Sequence, residues 1–290
     1  MKTADIFKKK TVFSLEIFPP KRDADESVIY STLDELTDIH PDFISVTYGA
    51  AGGKNGSKTI KIASDIVAKY GTTSAAHLPC INLTKTHAAE ILDSIKASGI
   101  ENVLALRGDI PDDTTHRGDF SHADELVSFI HDNYDLNIIA ACYPEVHPES
   151  RNVVEDIKHL KNKVSCGVNH LITQLFLDNR YFYDFRERTQ LAGINIPIEA
   201  GVMPVTNKRQ IERMVKLCGV ELPTKFVRML ERYGDDPVAM RDAGIAYAVD
   251  QITDLVAEGV DGIHLYTMND PYVAHKIYGA VHNLVNRTLK

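Results

Sequence analysis

The segment FSLEIFPPK, residues 13–21, carries a single acidic residue in an apolar run that predicts a buried strand. Its aromatic and β-branched residues favour extended structure. Pro19 and Pro20 end the strand, because proline has no N–H for the hydrogen-bond ladder. A carboxylate is almost never fully buried without a partner. Glu16 therefore either faces water at an edge or belongs to a site that needs an acid.

Outward from this strand, the chain alternates short β-rich runs with amphipathic stretches. Predicted strands cover residues 12–18, 43–47, 73–78, 102–106, 138–142, 170–175, 198–202 and 262–266. Apolar spacing predicts helices at residues 23–40, 58–70, 85–98, 122–133, 152–166, 181–192, 208–217 and 272–286. Two extra helices, at residues 223–232 and 237–258, precede the last strand.

Strict alternation of strands and helices requires parallel pairing, because each helix carries the chain back across the sheet. We therefore predict an α/β fold: an eight-stranded parallel β/α barrel of the TIM type, with residues 1–290 forming a single catalytic domain. A doubly wound sheet is the structural alternative. The sequence disfavours it, since no GxGxxG follows any predicted strand.

Composition excludes several classes of protein. The 290 residues carry a formal net charge of −8 and no basic stripe, so no nucleic-acid partner is expected. No apolar run approaches the ~18 residues of a membrane span, and the first residues lack the apolar core of a signal peptide. The four cysteines form neither CxxC nor a zinc spacing. We expect a reduced cytoplasmic protein without a metal site.

Polar side chains collect at the predicted C-terminal strand ends, where barrels of this type build active sites. They are Glu16, Thr47, Tyr48, His77, Arg107, Asp109, Tyr143, His147, Gln174, Tyr266 and Asn269. Each alone is compatible with an ordinary structural role. The glycine cluster at residues 49–58 fails the GxxxxGK[ST] spacing of a phosphate loop. The joint presence of so many polar residues at one mouth nevertheless predicts an active site there.

Five of these segments, FSLEIFPPK, SVTYGAAGG, LRGD, YPEVHPE and ITQLFLD, together resemble methylenetetrahydrofolate reductase in residues and order. GVMPV and HLYTMN extend the resemblance over nearly the whole chain. The resemblance implies a barrel that holds FAD without a Rossmann motif. It also implies reduction of methylenetetrahydrofolate to methyltetrahydrofolate, with NADH or NADPH as hydride donor in a ping-pong cycle, by a homo-oligomer.

The resemblance also assigns roles to individual residues. Glu16 would protonate the folate ring nitrogen as the ring opens, and Asp109 would stabilise the cationic iminium. The implied FAD contacts are Thr47, His77, Arg107, Gly108, Asp109, Ala123, Tyr143, His147, Asp156, His159 and Lys163. The implied folate contacts are Glu16, Asp109, Gln174 and Gln210.

Three positions depart from the family pattern. His159 stands where an asparagine is common, Met214 where a phenylalanine can lie over the substrate, and Asp270 where an arginine is often found. Asp270 would repel the anionic glutamate tail of folate, or it would cap the helix that starts at Pro271. Both interpretations are open at this point.

Two other functions compete with the reductase. One is another FAD barrel oxidoreductase, similar to proline dehydrogenase, and Glu16 and Gln174 argue against it. The other is a folate-binding barrel without flavin, which the visible spectrum of the purified protein would distinguish. The sequence does not choose between NADH and NADPH.

Overall fold

Eight parallel strands close into a barrel in chain order in the computed structural model, which describes residues 1–20, 25–48, 56–108 and 118–286. β1 pairs with both β2 and β8, and this double pairing closes the ring. The predicted TIM-type fold is therefore confirmed. The strands are β1 (Val12–Ile17), β2 (Phe43–Val46), β3 (Thr73–Pro79), β4 (Asn102–Leu106), β5 (Asn137–Cys142), β6 (His170–Thr173), β7 (Ile198–Val202) and β8 (Gly262–Tyr266).

Helices surround the barrel, and both helices predicted before the last strand are present as α8 and α9. In the described part of the chain the helices are α1 (Ser27–Thr37), α2 (Gly56–Tyr70), α3 (Lys85–Ala97), α4 (Ala123–Asn133), α5 (Val153–Ser165), α6 (Asn179–Leu191), α7 (Lys208–Cys218), α8 (Thr224–Tyr233), α9 (Pro237–Ala257) and α10 (Pro271–Val285). None of these described helices has the length and apolar character needed to cross a membrane.

Predicted and observed boundaries differ mainly at helix caps. Asn152, predicted as the first residue of a helix, instead precedes α5 and accepts hydrogen bonds from the backbone N–H groups of Val154 and Glu155. An N-cap residue flanks the helix and has an extended backbone. An amphipathic sequence pattern does not distinguish it from the first helical residue.

Side chains of β1 alternate between the two faces of the barrel wall. Phe13, Leu15 and Ile17 are fully or almost fully buried in the apolar layer beneath the helices. Ser14 and Glu16 point into the barrel, where they contact residues of other strands. The acidic residue of the first strand therefore lies inside the barrel and not at an open sheet edge.

The segment before β1 closes the N-terminal end of the barrel. The buried Thr3 accepts a hydrogen bond from Asn137 and donates its backbone N–H to Asn102, each at 2.8 Å. Ile6 packs with the apolar residues of the barrel interior, and the ring of Phe7 lies 4.8 Å from that of His170. This closure was not predicted, and it leaves the polar interior facing the opposite, C-terminal mouth.

Asp270 is the N-cap of α10. Its Oδ1 accepts a hydrogen bond from the backbone N–H of Val273 at 3.1 Å, and Pro271 occupies the first helical position. This geometry supports the capping interpretation, because the carboxylate satisfies an N–H group that the helix itself leaves without a partner.

We expect Asp270→Ala to lower the free energy of unfolding by about 1 kcal/mol, the usual cost of losing an N-cap. The matched control is Asp235→Ala, because the Asp235 side chain is 97% exposed and its ion-pair contact with Lys208 is long, at 4.0 Å. That control should have little effect. Urea denaturation of both variants measures the difference, and equal losses would contradict the capping role.

Candidate active site

Glu16 lies at the end of β1 between two histidines of neighbouring strands. Its Oε2 is 3.5 Å from Nε2 of His77, on β3, and 3.5 Å from Nε2 of His264, on β8. Both imidazoles are buried, whereas the Glu16 side chain remains 20% exposed at the mouth. The arrangement gives one carboxyl group access to the mouth and places it near two buried imidazole nitrogens.

Burial lowers the pKa of His77 to about 4, although the nearby Glu16 carboxylate opposes the shift. His77 is therefore neutral at neutral pH. Burial also raises the pKa of Tyr266 well above its ordinary value, and its hydroxyl donates to the carbonyl of Thr173 at 2.7 Å. Gly201 makes this packing possible, because a Cβ there would lie 2.8 Å from the Tyr266 ring and 2.3 Å from the Thr173 carbonyl oxygen.

A cavity of about 610 Å³ lies beside the ends of β4 and β5 and the first residues of α4. Eight of the eleven residues for which the family resemblance implies an FAD contact line it. They are Arg107, Gly108, Ala123, Tyr143, His147, Asp156, His159 and Lys163. Residues spread over 57 positions of sequence thus meet in one concave space, as expected for strand ends and helix starts that share one edge of the barrel.

Of the other three implied FAD residues, two lie at other strand ends of the barrel, and one is outside the described residues. His77 contacts Glu16, as described above. Thr47 follows β2, donates its N–H to the carbonyl of Ile17 at 2.9 Å and accepts from the hydroxyl of Thr59, so it lies beside the end of β1. Asp109 lies outside the described residues.

The cavity wall carries two cationic side chains, Arg107 and Lys163, together with three carboxylates, Asp124, Glu149 and Asp156. Lys163 Nζ donates to the β5 carbonyl of Ala141 at 2.6 Å, and burial lowers its pKa. Both terminal nitrogens of Arg107 donate to Glu149, at 2.5 and 2.7 Å, which raises the pKa of the guanidinium. Because arginine and lysine are the side chains that bind diphosphates, these two are the candidates for contact with an anionic ligand.

Gly108 shapes the floor of the cavity. It has a φ of +85°, a backbone conformation that L side chains rarely adopt. A Cβ at this position would lie 2.9 Å from Cβ of Pro79 and 3.0 Å from a side-chain carbon of Ile81. The packing of this turn against Pro79 and Ile81 therefore requires glycine.

Of the implied folate residues that the structure describes, Glu16, Gln174 and Gln210, none lines the cavity wall. Gln174 directly follows β6, and its Oε1 accepts from the N–H of Leu175 at 2.9 Å. Gln210 lies in the first turn of α7, where its N–H donates to Asn207 and its Oε1 accepts from Thr206. Met214 packs with the apolar cluster near α7 and α8. The contacts of Gln210 with Thr206 and Asn207 are those of a residue that completes the N-terminal cap of α7.

Sequence reasoning missed four residues that interact inside the barrel: Ser14, His170, Glu199 and His264. The signal that could have found them is the period of two along each strand, which gives Ser14 and Glu16 the same face. Across the described ranges, no group of three or more His, Cys, Asp or Glu residues is arranged to hold a metal ion.

The depressed pKa of His77 predicts a pH-dependent stability. Unfolding returns His77 from about 4 to its ordinary value near 6.5, so the unfolded chain binds a proton that the folded protein does not. This contribution is fully present above pH 6.5 and is lost as the pH falls toward 4. We expect the loss of this contribution to lower the free energy of unfolding by roughly 2–3 kcal/mol at pH 4.5. His77→Asn should lose less stability than the wild type between pH 7.5 and 4.5, as measured by urea denaturation, and equal losses would contradict the assignment.

Comparisons with known proteins agree with this architecture. Residues 2–282 match the family model described as Methylenetetrahydrofolate reductase. A 5,10-methylenetetrahydrofolate reductase of Pectobacterium carotovorum subsp. carotovorum is 35% identical over 264 residues, which cover 91% of this chain and 88% of the relative. The corresponding enzyme of Escherichia coli (strain K12) is 34% identical with the same coverage.

A plant relative and a solved structure extend the comparison. Methylenetetrahydrofolate reductase (NADH) 1 of Arabidopsis thaliana is 34% identical over 90% of this chain and 46% of its own length. An uncharacterized Clostridium thermocellum protein that binds two copies of 5-methyl-5,6,7,8-tetrahydrofolic acid shares the fold, with a TM-score of 0.68, 12% identity and 96% coverage of both chains. From the family match and the bacterial identities together, we conclude that the chain belongs to the methylenetetrahydrofolate reductase family.

Proposed function

We propose that this chain reduces methylenetetrahydrofolate to methyltetrahydrofolate, using FAD and a nicotinamide dinucleotide. The observation that carries the proposal is the position of Glu16: a half-buried carboxyl at the barrel mouth, 3.5 Å from each of two buried histidines. Reduction of this substrate needs a proton donor where its five-membered ring opens. A carboxyl group that is reachable from the mouth and backed by imidazole nitrogens is suited to that task.

The cavity beside the ends of β4 and β5 would hold the FAD. Arg107, His147 and Lys163 would face its diphosphate and ribityl chain, since two of them are cations and the third is a ring that donates or accepts. Gly108 would contribute backbone to the wall of this site, where its positive φ and its packing against Pro79 and Ile81 require glycine. When bound, FAD would pass hydride from the nicotinamide to the folate. The residues of this chain would bind and orient the FAD and the folate, and Glu16 would protonate the folate.

Glu16 is the proposed general acid for ring opening. The acid must release its proton to a departing nitrogen and must not be solvated so strongly that it stays ionised. The Glu16 carboxyl is partly exposed at the mouth, so a departing nitrogen could reach it. The two buried histidines beside it limit its contact with water. Asp109 is proposed to support the cationic iminium, and Gln174 to contact the pterin from the end of β6. Gln210 is proposed as a further folate contact, which would require its side chain to leave Thr206.

NADH is the donor that the comparisons favour, because the Arabidopsis relative is named as an NADH enzyme. We extend that preference to this chain as part of the proposal. Parallel steady-state assays with NADH and NADPH at equal concentrations test it. A higher kcat/KM for NADPH would overturn the extension without affecting the folate reaction.

The direct test of the proposal is spectroscopic. The purified protein should show the visible absorption of bound flavin, NADH should bleach it without oxygen, and methylenetetrahydrofolate should restore it. A protein that binds methyltetrahydrofolate but no flavin would instead be a folate-binding barrel. A protein whose flavin is reduced by proline and not by NADH would belong with the proline dehydrogenase-like alternative.

Glu16→Gln separates the two half-reactions. The amide keeps the shape of the carboxyl group but carries no acidic proton, so reduction of the flavin by NADH should change by less than about twofold. Loss of a positioned general acid should slow folate reduction by about 10²–10⁴-fold. Stopped-flow absorbance measures both steps, and wild-type folate reduction in this variant would exclude Glu16 as the acid.

Lys163→Met tests the FAD cavity by a readout other than activity. Loss of a charge-assisted contact of about 1.5–3 kcal/mol should raise the Kd for FAD at least about tenfold. Stability without FAD should change by less than about 1 kcal/mol, because removal of the buried ammonium also removes its desolvation cost.

The matched control for that experiment is Lys158→Met on the same helix, where the side chain is exposed. Fluorescence titration of the FAD-free proteins gives the two values of Kd. Equal affinities for both variants would show that Lys163 does not contact the cofactor.

A further inference from the structure

A continuous chain of polar side chains runs from the closed interior of the barrel to Glu16. Ser14 Oγ lies 2.7 Å from Oε1 of Glu199 and 2.6 Å from Nδ1 of His264. The other ring nitrogen of His264, Nε2, lies 3.5 Å from Oε2 of Glu16. Glu199 and His264 have no exposed surface, so their hydrogen bonds must be met within the protein.

The donors and acceptors of these hydrogen bonds follow from the protons that each side chain carries. The Ser14 hydroxyl has one proton and donates it to the Glu199 carboxylate. Ser14 Oγ must then accept at its other contact, so Nδ1 of His264 carries a proton. In a neutral imidazole the second nitrogen is an acceptor. Nε2 therefore turns its lone pair toward Glu16, with the Ser45 hydroxyl 3.4 Å away on the same side.

This assignment leaves a place for one proton between His264 and Glu16. The Ser45 hydroxyl can donate to the Nε2 lone pair, and a proton between Nε2 and the Glu16 carboxyl would remove the repulsion between that lone pair and the carboxylate. Such a proton would lie either on Oε2 of Glu16 or on Nε2 of His264, and the two forms differ by a transfer between facing atoms. In both forms the proton would lie beside the mouth.

We propose that Glu199 is a positioning residue that acts through Ser14 to hold a proton on Nδ1 of His264, so that the His264–Glu16 pair retains the proton used in folate reduction. The inference rests on the proposed function for its link to catalysis. Glu199 itself touches neither the mouth nor the lined cavity. Its negative charge and its hydrogen bond act at a distance through two intervening side chains.

The other titratable groups that face this chain are few in the described part of the protein. His170 Nε2 lies 3.5 Å from Oε2 of Glu199, and Asp261 lies nearby, at the start of β8, where it accepts from Ile198. At the mouth, His77 and Tyr266 face Glu16. The pKa of His77 is about 4 and that of Tyr266 is well above its ordinary value, so both stay neutral between these limits.

The test compares Glu199→Gln and Ser14→Ala in the FAD-loaded enzyme. Removal of a buried negative charge, or of the hydroxyl that transmits it, lowers the proton affinity of the pair. The alkaline limb of the folate half-reaction should therefore shift to lower pH by about one unit, a tenfold change in proton affinity. Reduction by NADH should not shift. The double variant should shift no further than either single variant, since both remove one interaction.

Glu145→Gln is the matched control, because it makes the same chemical change on a half-buried carboxylate whose hydrogen bond comes from the Glu221 N–H at 2.8 Å. Its pH profile should match the wild type. A wild-type alkaline limb in both Glu199→Gln and Ser14→Ala would overturn the proposal. Should Glu199→Gln fail to fold, Ser14→Ala decides the question by itself.

A second readout is independent of catalysis. Nitrogen NMR of imidazole-labelled protein at pH 8, with His264→Gln to identify the signal, reports which ring nitrogen of His264 carries a proton. A proton on Nδ1 in the wild type supports the proposal, and an unprotonated Nδ1 overturns it. If the wild type reduced no folate, the proposed function would fail, while the same measurement in Glu199→Gln and Ser14→Ala would still decide whether these two residues set the tautomer.

Discussion

The requirement that buried charge be paired governs the interior of this barrel. A carboxylate without exposed surface, such as Glu199, is stable only if its oxygens receive hydrogen bonds or face a cation. Ser14 donates to one oxygen, and His170 lies 3.5 Å from the other. Each of these partners comes from a different strand, so they meet only when the ring of strands has closed in the correct register.

The two chemical tasks of the site fall on different parts of the ring. The proposed acid and the two histidines beside it come from β1, β3 and β8, whose inward side chains are held by strand pairing on both sides. The cavity proposed to hold FAD lies at the ends of β4 and β5 and beside α4 and α5. A proton donor needs a fixed position to within a fraction of an ångström. A large cofactor needs many contacts, which loops and helix starts can supply.

Sequence alone predicted the barrel well because each strand and helix has its own local signal. Parallel strands covered on both faces are apolar on both, however, so their sequences do not reveal which residues point inward. Glu16 was conspicuous because it interrupts an apolar run near a C-terminal strand end. Glu199 interrupts the apolar run IPIEAGV in the same way, but it is the second residue of β7 and so lies away from the strand ends where active-site residues are expected. Asp270 shows another limit: its two interpretations could be weighed only once its hydrogen bond to Val273 was seen.

Closure of the N-terminal end ties the fold to the chemistry. With Phe7 against His170 and Ile6 in the barrel interior, the deep end of the polar chain is covered by apolar groups. Electrostatic interactions strengthen where water is excluded, so the field of Glu199 is weakly screened along the chain through Ser14 to His264. Protons can then enter or leave this chain most readily at Glu16, its exposed end. Under the proposed function, the same residues that cover the base of the barrel would leave the mouth, where the substrate would bind, as the place where protons are exchanged.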